Sequence, residues 1–303
     1  MPEGWAEAVV LHDAEDVVAA GEPALLRRLL AHHDMVQLPV VPVLSGRTIG
    51  DSYFDEFAEA HGKDLPTRQA LGASVPGAGV GCAIRCSTLR ALGQGNGPFP
   101  SDSLVEDYEL GLRLHEAGAR TLFVPMAVCG GAVVRAQFPT TVPAAVRQKS
   151  RWVAGIALNG WDRTGWRAHP GELWMRLRDR RAPLAALVLC AGYAGLVLAT
   201  ALMAGHWLVG WARPSFLIDG WLVGASGVTA LLLLWRLAMR AVCSGAVGGR
   251  REGLRALPRS VASNIVAILA ARRAVGLYVS WRRTGEVRWD KTAHEFTQVR
   301  EPA

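Results

Sequence analysis

The sequence predicts an α/β domain with a largely parallel sheet, followed by a transmembrane helical hairpin and an interfacial helix. Three observations carry this. Short apolar runs alternate with helix-period segments through the first 181 residues, the pattern of an α/β protein. From 184 to 212 there is no Asp, Glu, Lys or Arg, and from 214 to 235 the one charge is Asp219. Both stretches are long enough to span, since a crossing helix needs roughly 20 mostly apolar residues. The 303-residue chain is only 19% charged, with a mean hydropathy of +0.19, against about 25% charged residues in soluble domains.

Taken in order, Ala8-Val9-Val10-Leu11 reads as a buried, central parallel strand that runs into the acidic loop Asp13-Ala14-Glu15-Asp16. Glu22-Pro23 opens a helix with Leu25, Leu26, Leu29 and Leu30 as its apolar stripe. The run 35–44 contains Pro39 and Pro42, which demotes it to an edge strand. Residues 49–61 form an amphipathic helix in which Tyr53, Phe54 and Phe57 face in while Asp51, Asp55, Glu56 and Glu59 face water. The glycine-rich stretch 74–84 lets backbone approach a ligand closely at Gly79 and Gly81. Short helices follow at 85–92 and 103–117, the latter stopped by Gly118, with a strand at 120–124. Pro143 starts a helix through Gln148, Arg151 and Trp152, and Trp161, Trp166 and Trp174 extend an aromatic belt toward the first apolar stretch. The charge-free segment 261–271 is too short to span and fits a helix lying in the interface.

The net charge of +7 comes from 33 Lys and Arg, nearly all Arg. Arg176, Arg178, Arg180 and Arg181 precede the first apolar stretch, and Arg236, Arg240, Arg250 and Arg251 follow the second. This positive-inside pattern places both ends of the hairpin in the cytoplasm. No basic stripe interleaved with aromatics is present, so nucleic acid is not an expected partner. Five cysteines without a C-x-x-C pair give neither a disulfide framework nor a zinc site.

Three constellations could carry chemistry. Carboxylates at Asp13, Glu15 and Asp16, at the end of a strand, suit a hard divalent cation, although acids are also common at helix starts. Ser103 and Glu106 have the spacing of a capping box, which gives Glu106 a structural reason to exist; Asp107 has none and suits a general base. Gln148, Arg151 and Trp152 share one helical face, offering a guanidinium fork for phosphate and a flat ring for a sugar; a juxtamembrane anchor would look the same.

The order of these motifs, with the blocks HDAEDVV, DMVQLPV, DEFAEAHGKD, SVPGAGVG, EDYELGLRL, RQKSRWVAGIALNGW and RWDKTAHEFT, resembles the membrane-bound inverting family-2 glycosyltransferases of the cellulose-synthase-like group. The resemblance implies a GT-A catalytic domain over 1–181, two transmembrane helices over 182–240 and a cytoplasmic or interfacial region over 241–303. It implies sugar transfer from a nucleotide-diphosphate sugar to a glycan or lipid-linked acceptor at the cytoplasmic face of the inner membrane, with an outer-membrane export partner. Asp107 would be the catalytic base. Asp13, Gln148 and Arg151 would bind the donor, Glu15 and Asp16 would hold Mg²⁺ or Mn²⁺, and Glu106, Trp152, Gly79 and Gly81 would meet the acceptor. In that family two or three strands precede the acidic loop and hold the nucleotide base. Here the loop begins at residue 12, so the expectation is a partial, N-terminally truncated GT-A domain. The competing expectation is a non-catalytic membrane subunit or receptor scaffold.

Overall fold

The computed structural model describes residues 6–14, 16–93, 97–100, 102–129, 131, 133–166, 169–212 and 220–285. Its first strand, β1 (Ala8–Leu11), leads through the acidic loop to α1 (Glu22–Leu30), which starts on Pro23 and buries Leu26 and Leu30. The run containing two prolines is two strands rather than one edge strand: β2 (Met35–Gln37) and β3 (Val40–Pro42), both wholly buried. Pro39 falls in the break between them and Pro42 ends β3, so neither is asked to donate inside a ladder. Next come α2 (Thr48–Glu59), a π-helical turn (Ala60–Asp64), α3 (Leu65–Ala70), β4 (Cys82–Arg85), α4 (Cys86–Leu92), α5 (Glu106–Glu116), β5 (Thr121–Phe123) and β6 (Val134–Ala136).

The main sheet has the order β1-β4-β2-β5 and is mixed, not largely parallel. β4 runs antiparallel to both β1 and β2, and only β2 and β5 pair in parallel. β3 and β6 form a separate parallel pair. The glycine-rich segment enters β4 beside the end of β1, where Gly81 N–H donates to the Leu11 carbonyl at 2.8 Å, and that arrival fixes the antiparallel sense. β1 therefore lies at the end of the described sheet, with Val10 43% exposed, not at its centre.

The C-terminal half is helical: α6 (Val142–Trp152), a π-helical stretch (Val153–Asn159), α7 (Gly160–Arg163), α8 (Pro170–Arg180), α9 (Ala182–Val209), α10 (Gly220–Gly248) and α11 (Arg250–Thr284). The second apolar helix thus extends to Gly248, beyond the expected boundary at 240. Residues 261–271 are the middle of a 35-residue helix rather than a short interfacial one. By length and composition α9, α10 and α11 are each apolar enough to cross a membrane. Asp219 and residues 286–303 lie outside the described residues.

The largest departure concerns α2. Its acidic face is largely covered by protein: Asp55 is fully buried and Asp51 is 8% exposed, while Glu56 and Glu59 are partly buried. Arg259 of α11 donates from Nε to Asp55 Oδ2 at 2.8 Å and from Nη2 to Oδ1 at 2.9 Å, and also pairs with Glu252 at 2.9 Å. Ser244 of α10 donates to Asp55 at 2.9 Å. Next to Asp55, Glu56 takes Lys149 of α6 at 2.5 Å together with Ser263 of α11, and one turn on, Glu59 takes Arg240 of α10 at 3.2 Å and Lys63 at 2.6 Å. One helix of the α/β domain is thereby bound to three C-terminal helices.

Two consequences can be measured by thermal unfolding in detergent. Arg259→Met leaves the Asp55 carboxylate buried without its guanidinium, which costs about 3–5 kcal/mol; adding Asp55→Asn should return part of the loss. His61, packed between Phe57 and Phe123, accepts a hydrogen bond from Val40 N–H at 2.9 Å, and burial holds its pKa at about 4. Unfolded, it titrates near 6.5. Its contribution is therefore complete above that pH and is lost as pH falls from about 6.5 to about 4, roughly 3 kcal/mol in all. His61→Gln should flatten stability across this window, and an unchanged slope would reject the assignment.

Candidate active site at the junction of the sheet and helix α6

A cavity of about 390 Å³ opens between the end of β1, the glycine-rich segment, the start of α5 and one face of α6. It is lined by Asp13, Gly79, Glu106, Asp107, Gln148, Arg151 and Trp152. Seven of the ten expected site residues are thus brought together from four separate segments. Three are not. Gly81 has its α-carbon packed against the Val134 side chain and serves the sheet. Asp16 turns back, its Oδ2 accepting from Asp13 N–H at 2.9 Å and standing 3.5 Å from His12, so it shapes the loop instead of lining the cavity. Glu15 lies outside the described residues.

Helix α5 begins at Glu106, and its N-cap, Val105, makes no side-chain cap. The expected capping box is absent because Ser103 Oγ instead accepts from Val105 N–H at 3.2 Å. Glu106 is left free to line the cavity. Asp107 Oδ1 accepts from Tyr108 N–H at 2.8 Å. Burial, reinforced by the nearby charges of Glu106 and Asp13, pushes the Asp107 carboxyl up to about 7, against the lowering effect of that N–H. A carboxylate with this affinity for a proton can take one from a hydroxyl near neutral pH.

Glycine makes the closeness possible. A Cβ on Gly77 would lie 2.7 Å from the Asp107 carbonyl oxygen, and one on Gly79 would lie 2.8 Å from Asp107 Oδ2. Gly79 also has φ +75°, which L side chains rarely adopt. The start of the same segment is fastened from behind. Ser74 donates its N–H and hydroxyl to Glu172 of α8 at 2.8 and 3.0 Å, and its carbonyl accepts from Arg68. Arg68 grips Asp179 with two hydrogen bonds, 3.0 and 2.8 Å, and Tyr108, next to Asp107, donates to Asp179 at 2.6 Å. Arg68, Tyr108, Glu172 and Asp179 belong to no local motif, because their partners are up to 111 residues away.

On α6, Gln148 is 7% exposed, and its Oε1 is buried without a hydrogen-bond partner among the described residues. Trp152 meets Tyr53 and Phe138 edge-on at 6.1 and 6.4 Å, which fixes its ring at the cavity wall. Gln137 and Phe138 also line the cavity, a contribution the sequence did not reveal. Trp161, Trp166 and Trp174 are exposed elsewhere.

A family model described as glycosyl transferase family group 2 matches residues 8–239. The chain belongs to this family. The chain is 33% identical over 315 residues to the bacteriophage adsorption protein B of Escherichia coli K12, and equally to the bacteriophage N4 adsorption protein B of Escherichia coli O157:H7. These alignments cover 96% of this chain but 42% of each relative, so the chain spans less than half the length of the relatives it matches.

Gly79→Ala should push the Asp107 carboxylate aside. Sugar transfer is expected to fall at least about tenfold, since small misplacements of catalytic groups cost that much. Thermal stability should fall by only about 1–2 kcal/mol for the strained φ. Full transfer with the alanine in place would show that the close approach is irrelevant to the site.

Proposed function

We propose that the chain carries an inverting sugar transfer from a nucleotide-diphosphate sugar to a glycan or lipid-linked acceptor, with Asp107 as general base. The carrying observation is the meeting of Asp107, held near neutral in proton affinity, with the acidic-loop Asp13 and the Gln148–Arg151–Trp152 face in one cavity. In this reading Arg151 offers its planar fork to diphosphate oxygens. Gln148 Oε1 accepts from a ligand hydroxyl, and Trp152 gives a sugar ring a flat apolar wall. Asp107 removes the acceptor hydroxyl proton as that oxygen attacks the anomeric carbon from the face opposite the leaving diphosphate, which inverts the centre.

The donor set also suits a hard divalent cation. Asp13 and the Glu106–Asp107 pair raise one another's negative potential, and the structure supplies carboxylate oxygens but, among the described residues, no group of three His, Cys, Asp or Glu side chains. Mg²⁺ is commonly held by one or two carboxylates with substrate phosphates completing the shell, so Asp13, with Glu15 beside it in sequence, would hold the ion. Bound there, Mg²⁺ or Mn²⁺ would neutralise charge developing on the diphosphate.

The helices and their arginines support a reading of the location. Between Arg259 and Arg272 α11 offers 12 uncharged residues, about 18 Å of helix, short of the roughly 30 Å hydrocarbon core. Its Arg259 and Ser263 are held by α2 of the catalytic domain. We therefore read α11 as lying along the interface, with α9 and α10 crossing the inner membrane and the cavity on the cytoplasmic side, as the arginines at both hairpin ends favour.

The test uses membranes containing the chain and a panel of labelled nucleotide-sugars. Asp107→Asn keeps the shape but cannot take a proton, so turnover should fall about 10²–10⁴-fold with nucleoside diphosphate binding nearly unchanged by calorimetry. Full turnover by the variant would reject the base, and absence of transfer by the wild type from every donor would reject catalysis by this chain.

A further inference from the structure

Helices α9 and α10 each pack along α11 but scarcely touch one another. The gap between them is a cleft of about 670 Å³, separate from the catalytic cavity. Its walls are apolar on the α9 side, where Leu184, Val188 and Leu189 line it and the first two are 64% exposed. Its mouth is basic: Arg181 immediately precedes α9, and Arg236 and Arg240 stand one turn apart toward the end of α10.

The charges at this mouth do not cancel. Glu56, Glu59 and Asp64 also line it, but each is already matched. Lys149 holds Glu56, Lys63 holds Glu59 at 2.6 Å, and Arg178 holds Asp64 at 2.9 Å. The three arginines are thus in excess. Arg240 is 7% exposed, and its Nη1 is buried with no hydrogen-bond partner among the described residues, although the same guanidinium reaches Glu59 through Nε at 3.2 Å. Arg236 donates to the Asn264 side-chain oxygen at 3.2 Å, and Asn264 donates to the Tyr193 hydroxyl at 3.0 Å, which ties α10, α11 and α9 together at the edge of the cleft.

An apolar cleft between helices in a bilayer is filled by hydrocarbon, and guanidinium groups at its mouth lie where phospholipid phosphates lie. We infer that this cleft binds one anionic phospholipid, its acyl chain between α9 and α10 and its phosphate against Arg181, Arg236 and Arg240. Arginine forks match phosphate oxygens with paired hydrogen bonds. The excess of positive charge selects an anionic headgroup over a zwitterionic one. Nothing in this inference depends on the sugar-transfer reading, and its test does not use transfer.

Native mass spectrometry of the delipidated full chain in detergent, titrated with phosphatidylglycerol, with phosphatidylcholine of the same acyl chains, or with inorganic phosphate alone, decides it. One phosphatidylglycerol per chain is expected, with half-saturation about tenfold or more below that of phosphatidylcholine. The pair Arg181→Gln and Arg236→Gln, which spares the Glu59 contacts, should weaken phosphatidylglycerol binding about tenfold or more while leaving the lipid-free melting temperature nearly unchanged. Leu184→Trp keeps every charge and should block the acyl chain; it decides the matter on its own if the arginine variants do not fold. Equal retention of the two lipids, or undiminished binding by Leu184→Trp, would overturn the inference. So would saturable binding of inorganic phosphate that displaces the lipid, since the site would then be one for small anions.

Discussion

The structure depends on the pairing of the α2 carboxylates with cations from the C-terminal helices. Asp55 is buried with two hydrogen bonds from Arg259 and one from Ser244. Burying a charge costs several kcal/mol unless geometry and hydrogen bonds compensate, so these contacts contribute more to specificity than to net stability. In this arrangement of α2, α10 and α11, Asp51, Asp55 and Glu252 are all matched by Arg259. An apolar seam would tolerate sliding between a soluble domain and membrane helices, whereas this one does not.

The cavity around Asp107 inherits that rigidity at second hand. Asp107 sits against glycines at 77 and 79 because nothing larger fits, and the segment bearing them is fastened through Ser74 to Glu172 on α8 and to Arg68. Arg68 and Tyr108 then converge on Asp179. Helix α8 runs directly into α9, so the element that fastens the segment around Asp107 and the first long apolar helix are consecutive. Three carboxylates can share so small a space because the Asp107 carboxyl, pushed up to about 7, is partly protonated near pH 7, which lowers their mutual repulsion.

Much of this was legible in the sequence. The apolar stretches, the glycine-rich approach and the Gln148–Arg151–Trp152 face all rest on composition or on helical periodicity, which are local properties. The misreadings share one cause. Periodicity marks the polar face of α2 but cannot say whether water or protein covers it, and the partner that covers Asp55 is 204 residues away. Strand direction is similarly unwritten in a four-residue apolar run, so the antiparallel placing of β4 had no local sign. The Ser103 and Glu106 spacing suggested a capping box that never forms, because the serine finds a nearer N–H at Val105. The Arg68–Asp179 pair lacked any signal, being two ordinary surface-type residues 111 positions apart.

Helix α6 is where the two halves of the molecule meet. Gln148, Arg151 and Trp152 fall on one face at i, i+3 and i+4 and point into the cavity. Lys149, about 100° around the helix from Gln148, points away from that face and is held by Glu56 with its ammonium 4.6 Å from the Tyr53 ring centroid. Glu56 is also where Ser263 of α11 donates. A shift of α11 along α2 would take Ser263 away from Glu56, and because α11 also packs along α6, it would disturb the helix that carries Lys149 and the cavity-facing side chains. The orientation of the cavity-facing side chains and the seating of the domain on its C-terminal helices are therefore coupled. A substitution on α11 that moved the helix would be felt in the cavity even though α11 contributes no side chain to it.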